Sequence, residues 1–344
     1  MFKREDDFVR WLGQRMGTAG RGLALGIGDD AALVRPTARR ELILTSDWTI
    51  EDVHFRLKLH PPDSVGHRAL ARALSDVAAM GGRPRWALVS LAISQSLPDV
   101  WVKRFYGGMV RLARRFGVAI VGGDTSVVPD RISIDVVVVG DILRGRALRR
   151  SGASPGDQIF VSGRLGLSTL GLKLLESGGK SQTRPSRDAL RAHLYPEPQC
   201  ALGEFLARRK LATALMDISD GLSIDLARLC RASGVGARLW ESLLPVPVAV
   251  VTAVSSPPKK SPRHKNRAVA TLDPLQLALH GGEDYQLLFT VPSRAAAKLP
   301  LQLCGVPLHH VGVIDSGNAV RLVRASGKVE PLTPAGFDHF RKVR

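Results

Sequence analysis

Short strand-like runs alternate with longer helical patterns along this chain, and the alternation limits the folds open to it. Residues 64–80 place apolar side chains on one helical face, and the pattern ends at Gly81 and Gly82. Residues 118–121 and 132–139 instead read as buried strands rich in β-branched side chains. This alternation predicts α/β or α+β layers and excludes a helix bundle or an all-β sandwich.

The length of the chain predicts two domains. Its 344 residues amount to two domains of the usual size of ~150 residues. A turn-rich stretch at residues 149–157 marks a boundary, so we expect one domain over residues 1–150 and an α/β domain over residues 151–344. Residues 255–267 hold three prolines, three serines, five Lys or Arg and no apolar residue. This composition predicts a flexible basic insertion.

The basic composition raises the question of a nucleic-acid partner. The formal net charge is +18, but the basic residues are scattered and aromatic residues make up only 5% of the chain. We therefore expect a generally arginine-rich surface and no nucleic-acid partner. The three cysteines are far apart, and the apolar runs are too short to cross a bilayer. These features predict a cytoplasmic protein with no membrane partner.

Aspartates recur in glycine-rich or small-residue settings, at what we expect to be the ends of structural elements. They are Asp29, Asp30, Asp47, Asp76, Asp124, Asp217 and Asp220. Each one alone fits a structural role, such as a helix cap or an Asx turn. Together, carboxylates grouped without histidine or cysteine suit a hard cation such as Mg²⁺. The pattern indicates metal ions around a nucleoside triphosphate.

The order of seven segments resembles the thiamine-monophosphate kinase family. The segments read GIGDDAAL, TSDWTIEDVHF, ALSDVAAMGG, VGGDTS, GRALRRSGASPGD, DISDGLSIDLARL and HGGEDYQLLF. This family shares a fold group with aminoimidazole-ribonucleotide synthetase, selenophosphate synthetase and hydrogenase-maturation dehydratase. The resemblance runs from about residue 5 to the terminal GFDHF and leaves residues 255–267 unmatched.

The resemblance implies a two-domain synthetase-like fold and a kinase reaction. The N-terminal domain would bind ATP and metal, and its sheet would pair with that of a second subunit to form a β-barrel at a homodimer interface. The enzyme would transfer the γ-phosphate of ATP to thiamine phosphate, with several Mg²⁺ ions held by aspartates. The acceptor is a phosphate oxygen that is already largely deprotonated. We therefore expect direct in-line transfer, with no catalytic residue beyond the metal ligands.

Matched residue by residue, the resemblance implies three groups of site residues. Its magnesium positions fall on Asp30, Thr45, Ser46, Asp47, Asp76, Asp124, Asp217 and Asp220, its ATP contacts on Gly123, Asp124, Arg150 and Ser219, and its thiamine-phosphate contacts on His54, Glu283 and Phe337. Arg150 offers a bidentate fork to phosphate, and Phe337 offers a flat face to a cationic ring. Arg149 is adjacent, so which of the two arginines is the phosphate ligand stays open. His54 and Phe337 also fit structural roles.

Two other functions remain as alternatives. The first is a sister enzyme of the same fold group that uses ATP to activate an amide or selenide. Selenophosphate synthetases usually carry a reactive Cys or Sec near the N-terminus, whereas this chain has no cysteine before Cys200. The second is a basic nucleic-acid-binding protein with an inactive kinase fold. The presence of all the aspartates argues against it.

Overall fold

Helices and strands alternate along the chain, which confirms the predicted mixed α/β class. The structure is a computed structural model that describes residues 5–16, 22–25, 33–94, 96–178, 183–246 and 273–336. Among these residues, the helices are α1 (Glu5–Met16), α2 (Pro62–Ala79), α3 (Asp99–Phe116), α4 (Leu167–Glu176), α5 (Arg184–Leu194), α6 (Cys200–Arg209), α7 (Leu222–Ser233), α8 (Pro274–His280) and α9 (Ser293–Ala296). The strands are β1 (Leu23–Leu25), β2 (Leu33–Val34), β3 (Arg40–Ile50), β4 (Arg83–Ser94), β5 (Ala119–Val128), β6 (Ser133–Leu143), β7 (Gln158–Ser162), β8 (Ala214–Ile218), β9 (Gly236–Trp240), β10 (Gln286–Val291), β11 (Gln302–Leu303), β12 (Val306–Asp315), β13 (Val320–Val323) and β14 (Val329–Pro331).

The chain divides into two units. The first comprises residues 1–148 and 197–210, and the second comprises residues 149–196 and 211–344. These units differ from the predicted domains in two places. The first unit ends at residue 148, and it includes the segment with α6, which packs on α2. Cys200 at the start of α6 donates through its Sγ to the carbonyl of Leu74 on α2, at 3.5 Å. The predicted basic insertion at residues 255–267 lies outside the described residues.

The first unit is built around a sheet in the order β3-β6-β4-β5. Strands β4 and β5 are parallel, and the other neighbours are antiparallel. Helix α2 packs on one face of this sheet, against β3, β4 and β6. Leu70, Leu74 and Val77 of α2 are fully buried, as are Val136 and Val138 of β6. The alternation of β6 therefore directs its buried side chains toward the helix.

The other face of this sheet carries exposed apolar side chains. Leu42, Leu44 and Trp48 of β3 are 44%, 69% and 53% exposed, and Leu88 of β4 is 37% exposed. Among the described strands of this unit the sheet stays open and does not close into a barrel. The barrel expected with a second subunit stays a prediction.

The second unit contains a larger sheet. Its described strands have the order β14-β13-β9-β12-β7-β10-β8, with β11 paired to β12. Neighbouring strands are antiparallel except β9 and β13, which are parallel. Ile159, Met216, Leu226, Leu288 and Ile314 belong to one buried apolar cluster that holds the sheet and α7 together. None of the helices that the structure describes is both long and apolar enough to cross a membrane.

Helices α2 and α3 pack closely because each presents a glycine to the other. A Cβ added to Gly66 of α2 would lie 1.9 Å from the carbonyl oxygen of Phe105, and a Cβ added to Gly108 of α3 would lie 1.9 Å from that of Asp63. These oxygens belong to the helix backbone, so only movement of a whole helix would relieve the overlap. Both glycines are required by this contact.

We expect Gly108→Ala to lower the free energy of unfolding by about 3 kcal/mol, because it overpacks the contact between the helices. Gly107→Ala is the matched control, since its Cβ would meet only the flexible end of Arg111, at 3.6 Å. It should raise stability by about 0.5–1 kcal/mol through helix propensity. Urea unfolding of both variants measures the difference, and equal effects would contradict the proposed close contact.

Candidate functional site

On the helix-facing side of β3, two of the predicted metal residues meet a third from α2. Thr45 and Asp47 lie two positions apart on the strand, so they share a face. Thr45 donates a hydrogen bond through Oγ1 to Oδ2 of Asp76. Nη2 of Arg72, one turn before Asp76 on α2, lies 3.7 Å from Oδ1 of Asp47. Thr45, Asp47 and Asp76 therefore form one group, which we call the strand–helix cluster.

In the strand–helix cluster, burial and mutual repulsion disfavour the charged forms of the two carboxylates. Burial raises the pKa of Asp47 to about 6, and the charge of Asp76 adds to this rise. The nearby Arg72 guanidinium opposes the rise in the pKa but does not cancel it. Two partly buried carboxylates at close range favour uptake of a proton or a cation. The cluster consists of oxygen donors only, as a hard cation prefers.

Ser46 and Asp124 lie on the opposite face of the same sheet. Ser46 donates through Oγ to Oδ1 of Asp135, at 2.7 Å. Asp135 of β6 is paired with Ser90 of β4, which in turn is paired with Asp124 of β5. Directly paired residues point to the same face. The structure thus separates Ser46 and Asp124 from Asp47, although the resemblance assigns all three to metal binding.

Gly123 allows β5 to approach β4 closely. Its φ is +149°, and an added Cβ would lie 1.9 Å from the carbonyl oxygen of Val89. The next residue, Asp124, is exposed, and its Oδ1 accepts a hydrogen bond from the backbone N–H of Thr125 at 2.8 Å. A side chain at position 123 would therefore displace the strand that presents Asp124.

The predicted element ends are wrong for three of the aspartates. Asp47 lies inside β3, Asp76 inside α2 and Asp124 inside β5. The expected strand at residues 118–121 continues to Val128, because the parallel pairing with β4 persists beyond the two glycines. Pairing with a neighbouring strand thus overrides the local turn preference of Gly and Asp.

His54 follows β3 in a tight turn. Its Nδ1 accepts the backbone N–H of Ile50 at 3.0 Å, and its carbonyl accepts from Nη2 of Arg68 at 3.2 Å. Arg68 is 2% exposed, so a buried guanidinium of α2 anchors this turn. The hydrogen bond to Nδ1 leaves the proton of a neutral imidazole on Nε2.

In the second unit, the predicted metal ligand Asp217 is the penultimate residue of β8 and is buried. A second buried carboxylate, that of Asp225, organises the segment that follows β8. Oδ2 of Asp225 in α7 accepts the backbone N–H groups of Ser219, Asp220 and Gly221, at 3.1, 3.0 and 3.2 Å. Burial raises the pKa of Asp225 to about 6, while the backbone hydrogen bond from Asp220 acts against the rise. Asp225 thus fixes the backbone that carries Ser219 and Asp220.

Arg228 joins this arrangement one turn further along α7. Its Nη1 lies 2.6 Å from Oδ2 of Asp220 and 2.7 Å from Oδ1 of Asp225. The guanidinium thereby connects a predicted metal ligand to the residue that holds its backbone. Asp220 is oriented through both its backbone and its carboxylate.

Backbone hydrogen bonds join the GGEDY segment to the end of β8. The backbone N–H of Glu283 donates to the carbonyl of Ser219 at 2.7 Å, and that of Tyr285 donates to Ile218 at 2.9 Å. Glu283 and Tyr285 have φ angles of +65° and +50°, which cost non-glycine residues roughly 1–2 kcal/mol each. The surrounding hydrogen bonds hold this conformation. A predicted ATP residue and a predicted substrate residue therefore share one backbone framework.

Asp284 ties the same segment to α4. Its carboxylate is buried and accepts the backbone N–H groups of Gly166 and Ser168, at 2.6 and 3.1 Å. Burial raises the pKa of Asp284 to about 7, and the backbone hydrogen bonds oppose that rise. The free N–H groups at the N-terminus of α4 are thus partly satisfied by a distant residue.

Arg149 and Arg150 are both exposed at the start of the second unit. The carbonyl of Arg149 accepts from the N–H of Leu215 at 2.8 Å, and that of Arg150 accepts from Oγ of Ser233 at 3.1 Å. The backbone of both arginines is therefore fixed. Their exposed side chains leave the choice of phosphate ligand open.

Two predicted site residues, Asp30 and Phe337, lie outside the described residues. Within the described part of the chain, no three His, Cys, Asp or Glu side chains are grouped closely enough to hold a metal ion. The carboxylates considered above occur as pairs or singly.

Several residues that orient the site are not among those predicted from the sequence. They are Asp135, Asp225, Arg228 and Asp284. Asp135 had a signal, since it interrupts a valine-rich strand on the alternate face. Asp225 had one too, because a carboxylate in the first turn of a helix faces unpaired N–H groups. Asp284 lies inside the GGEDY segment, but its role becomes visible only in the folded structure, where it is buried against the start of α4.

Comparison with known proteins identifies the family. Residues 28–142 match the family described as AIR synthase related protein, N-terminal domain, and residues 154–323 match the corresponding C-terminal domain. The thiamine-monophosphate kinase of Bacillus subtilis (strain 168) is 34% identical over 322 residues, which cover 92% of this chain and 94% of that protein. The chain belongs to the thiamine-monophosphate kinase family. The resemblance predicted from the sequence is thereby confirmed.

Solved structures of the thiamine-monophosphate kinase family agree with this assignment. The crystal structure of thiamine-monophosphate kinase from Stenotrophomonas maltophilia K279a is similar to this chain with a TM-score of 0.77 and 32% identity, covering 92% of this chain and 94% of that one. A structure described as AaThiL complexed with AMPPCP and TMP has a TM-score of 0.75 and 31% identity, covering 98% of this chain and 97% of that one. The similarity extends over both units.

The raised pKa of Asp284 predicts a specific dependence of stability on pH. Because its pKa lies near 7 in the folded state rather than at 3.8, the folded protein binds more protons between those values. Its contribution to the free energy of unfolding therefore falls as pH rises through this window, by at most about 1.4 kcal/mol per pH unit. We expect Asp284→Asn to flatten this part of the stability profile.

Urea unfolding at several pH values measures the profile of each protein. Asp130→Asn, at an exposed position, is the matched control and should leave the slope unchanged. Parallel profiles for the wild type and Asp284→Asn would contradict the raised pKa.

Proposed function

We propose that this protein is an ATP-dependent kinase that converts thiamine phosphate to thiamine diphosphate. Membership of the thiamine-monophosphate kinase family carries the proposal, because the relatives match over nearly the whole of both chains. A related structure binds AMPPCP, an ATP analogue, together with TMP. The sister-enzyme and nucleic-acid alternatives have no comparable support. Since ATP is its co-substrate, we place the enzyme in the cytoplasm.

We propose that Mg²⁺ is held by the aspartates and hydroxyls implied by the family. The strand–helix cluster of Thr45, Asp47 and Asp76 fits a hard cation, because its oxygen donors converge and the pKa of Asp47 is raised in their company. The remaining proposed ligands are Asp30, Ser46, Asp124, Asp217 and Asp220. When bound, Mg²⁺ neutralises the charge of the ATP phosphates, which lowers the barrier to phosphoryl transfer.

The remaining proposed contacts follow from the chemistry of each side chain. Gly123 is a proposed ATP contact beside Asp124, at the point where β5 approaches the backbone of β4 closely. Arg150 supplies a bidentate fork to phosphate. Ser219 completes the proposed ATP contacts from a backbone that Asp225 fixes.

Thiamine phosphate has a cationic thiazolium ring, an aminopyrimidine ring and a phosphate. We propose that His54 donates to the phosphate and that Glu283 contacts the aminopyrimidine or the positive ring. Phe337 offers an aromatic face to the rings.

The proposed mechanism is a single in-line displacement. The acceptor oxygen of thiamine phosphate is largely deprotonated near neutral pH, so the enzyme needs no strong general base. The protein holds the two phosphates in line and supplies cationic and N–H groups around the transferred phosphoryl group. No phosphorylated enzyme intermediate forms.

Incubation with ATP, Mg²⁺ and thiamine phosphate tests the function, with thiamine diphosphate and ADP as the expected products. ATP carrying a chiral γ-thiophosphate tests the mechanism in the same assay. One displacement inverts the configuration at phosphorus. Net retention, or a trapped phospho-aspartate or phospho-histidine, would overturn direct transfer.

We expect Asp47→Asn, Asp124→Asn and Asp220→Asn each to lower kcat by roughly two orders of magnitude, comparable to the loss of a main electrostatic stabiliser. Excess Mg²⁺ or Mn²⁺ should restore part of the loss, because the defect lies in metal affinity. Asp315→Asn is the control, since Asp315 is not among the proposed ligands and its carboxylate forms an ion pair with Arg238 at 2.6 Å. Wild-type kcat in any of the three variants would contradict the metal assignment of that residue.

We propose that the enzyme is a homodimer that joins through the exposed face of the first unit's sheet. Leu42, Leu44, Trp48 and Leu88 form an apolar surface there, and monomeric proteins rarely leave such a surface uncovered. A second copy of the same sheet is a self-complementary cover. The two open sheets would then complete the β-barrel that the family implies.

Sedimentation of the wild type at micromolar concentration should therefore give a dimer. Leu44→Glu should shift it to a monomer, because a carboxylate would be buried at the interface. Leu301→Glu is the matched control, since Leu301 is 88% exposed and belongs to the second unit. A monomeric wild type, or a dimeric Leu44→Glu variant, would argue against this interface.

A further inference from the structure

A buried histidine lies next to the carboxylate of Glu283, which is a proposed contact for thiamine phosphate. The side chain of His193, the penultimate residue of α5, is 1% exposed, whereas that of Glu283 is 25% exposed. Nδ1 of His193 lies 3.1 Å from Oγ of Ser168 and 3.8 Å from Oε2 of Glu283. The imidazole therefore faces a hydroxyl and a carboxylate through the same nitrogen.

The packing of α4 against α5 holds this imidazole in place. A Cβ added to Gly171 of α4 would lie 2.7 Å from Cβ of His193 and 2.2 Å from the carbonyl oxygen of Ala189. The helices thus meet at closest approach beside the histidine. Ser168 is fixed as well, because its N–H donates to Asp284 at 3.1 Å.

The backbone of Glu283 is also fixed, but its side chain is partly exposed. The backbone holds a φ of +65° and a hydrogen bond to Ser219. Of the pair, the histidine is enclosed between the two helices, whereas the glutamate side chain reaches the surface. A small rotation of the glutamate closes the distance of 3.8 Å to a hydrogen bond, as active-site contacts often do when substrate binds.

We propose that His193 is a positioning residue for Glu283. Its Nδ1–H donates to Oε2 and selects the one carboxylate orientation that meets the cationic part or the amino group of thiamine phosphate. This inference rests on the proposed function, in which Glu283 contacts that substrate. The histidine itself does not touch substrate.

The expected consequence is a selective loss of thiamine-phosphate recognition. A hydrogen bond to a charged group is worth about tenfold or more in binding, so His193→Leu should raise KM for thiamine phosphate about tenfold. KM for ATP and kcat should change less than about threefold, because the lost hydrogen bond acts on the side chain of Glu283 and not on the backbone that carries Ser219.

Two amide variants separate positioning from packing. Asn places its amide donor near the position of Nδ1, whereas Gln places it near Nε2. His193→Asn should retain kcat/KM for thiamine phosphate within about threefold of the wild type, and His193→Gln should resemble His193→Leu. Both introduce a buried amide, so a purely structural role would affect them alike. His310→Leu, which packs against Phe160 and Trp240 in the same unit, is the control and should leave all constants unchanged.

A double-mutant cycle with Glu283→Ala completes the test, with kcat/KM for thiamine phosphate as the readout. If His193 acts through Glu283, His193→Leu should have little further effect in the Glu283→Ala background. Additive losses, equal behaviour of the Asn and Gln variants, or an equal rise in KM for ATP would each overturn the positioning role. A wild-type protein that forms no thiamine diphosphate would instead refute the proposed function itself.

Discussion

The second unit depends on the hydrogen bonds that join the end of β8 to the GGEDY segment. Glu283 and Tyr285 donate to Ser219 and Ile218, and these bonds hold two residues at positive φ. Asp225 fixes one side of the junction by accepting three consecutive N–H groups. Asp284 fixes the other side by binding the start of α4. Loss of either carboxylate would free a segment that carries proposed ligands.

The two carboxylates that support the backbone of the candidate site, those of Asp225 and Asp284, are both buried. A buried carboxylate costs free energy unless backbone N–H groups satisfy it. Asp284 accepts backbone N–H groups at the start of α4, and Asp225 accepts backbone N–H groups in the turn after β8. The raised pKa values of Asp225 and Asp284 report the remaining cost of burial. The stability given up at these positions maintains the geometry that recognition of phosphates and cations requires.

The sheet of the first unit separates two tasks by the alternation of its strands. The face toward α2 carries Thr45 and Asp47, which meet Asp76. The other face carries Ser46 and the exposed Leu44 and Trp48. Neighbouring residues of β3 thus face opposite ways, with Thr45 and Asp47 in the strand–helix cluster and Leu44 and Trp48 at the proposed subunit contact. The proposed ligands Ser46 and Asp124 share the second face with that contact. A shift of register by one residue would exchange the two faces.

The sequence by itself determined the mixed α/β class, the family and most of the acidic residues proposed to act. Periodicity reveals which residues share a face, and the seven recognised segments carry the chemistry of the family. The tertiary structure decided which face of β3 meets a helix, and that β5 continues through Asp124. It also brought Asp284 to α4 and His193 to Glu283, across separations of 116 and 90 residues. Such contacts form only when distant segments are buried together, and no local pattern encodes which distant partner a buried polar group will find.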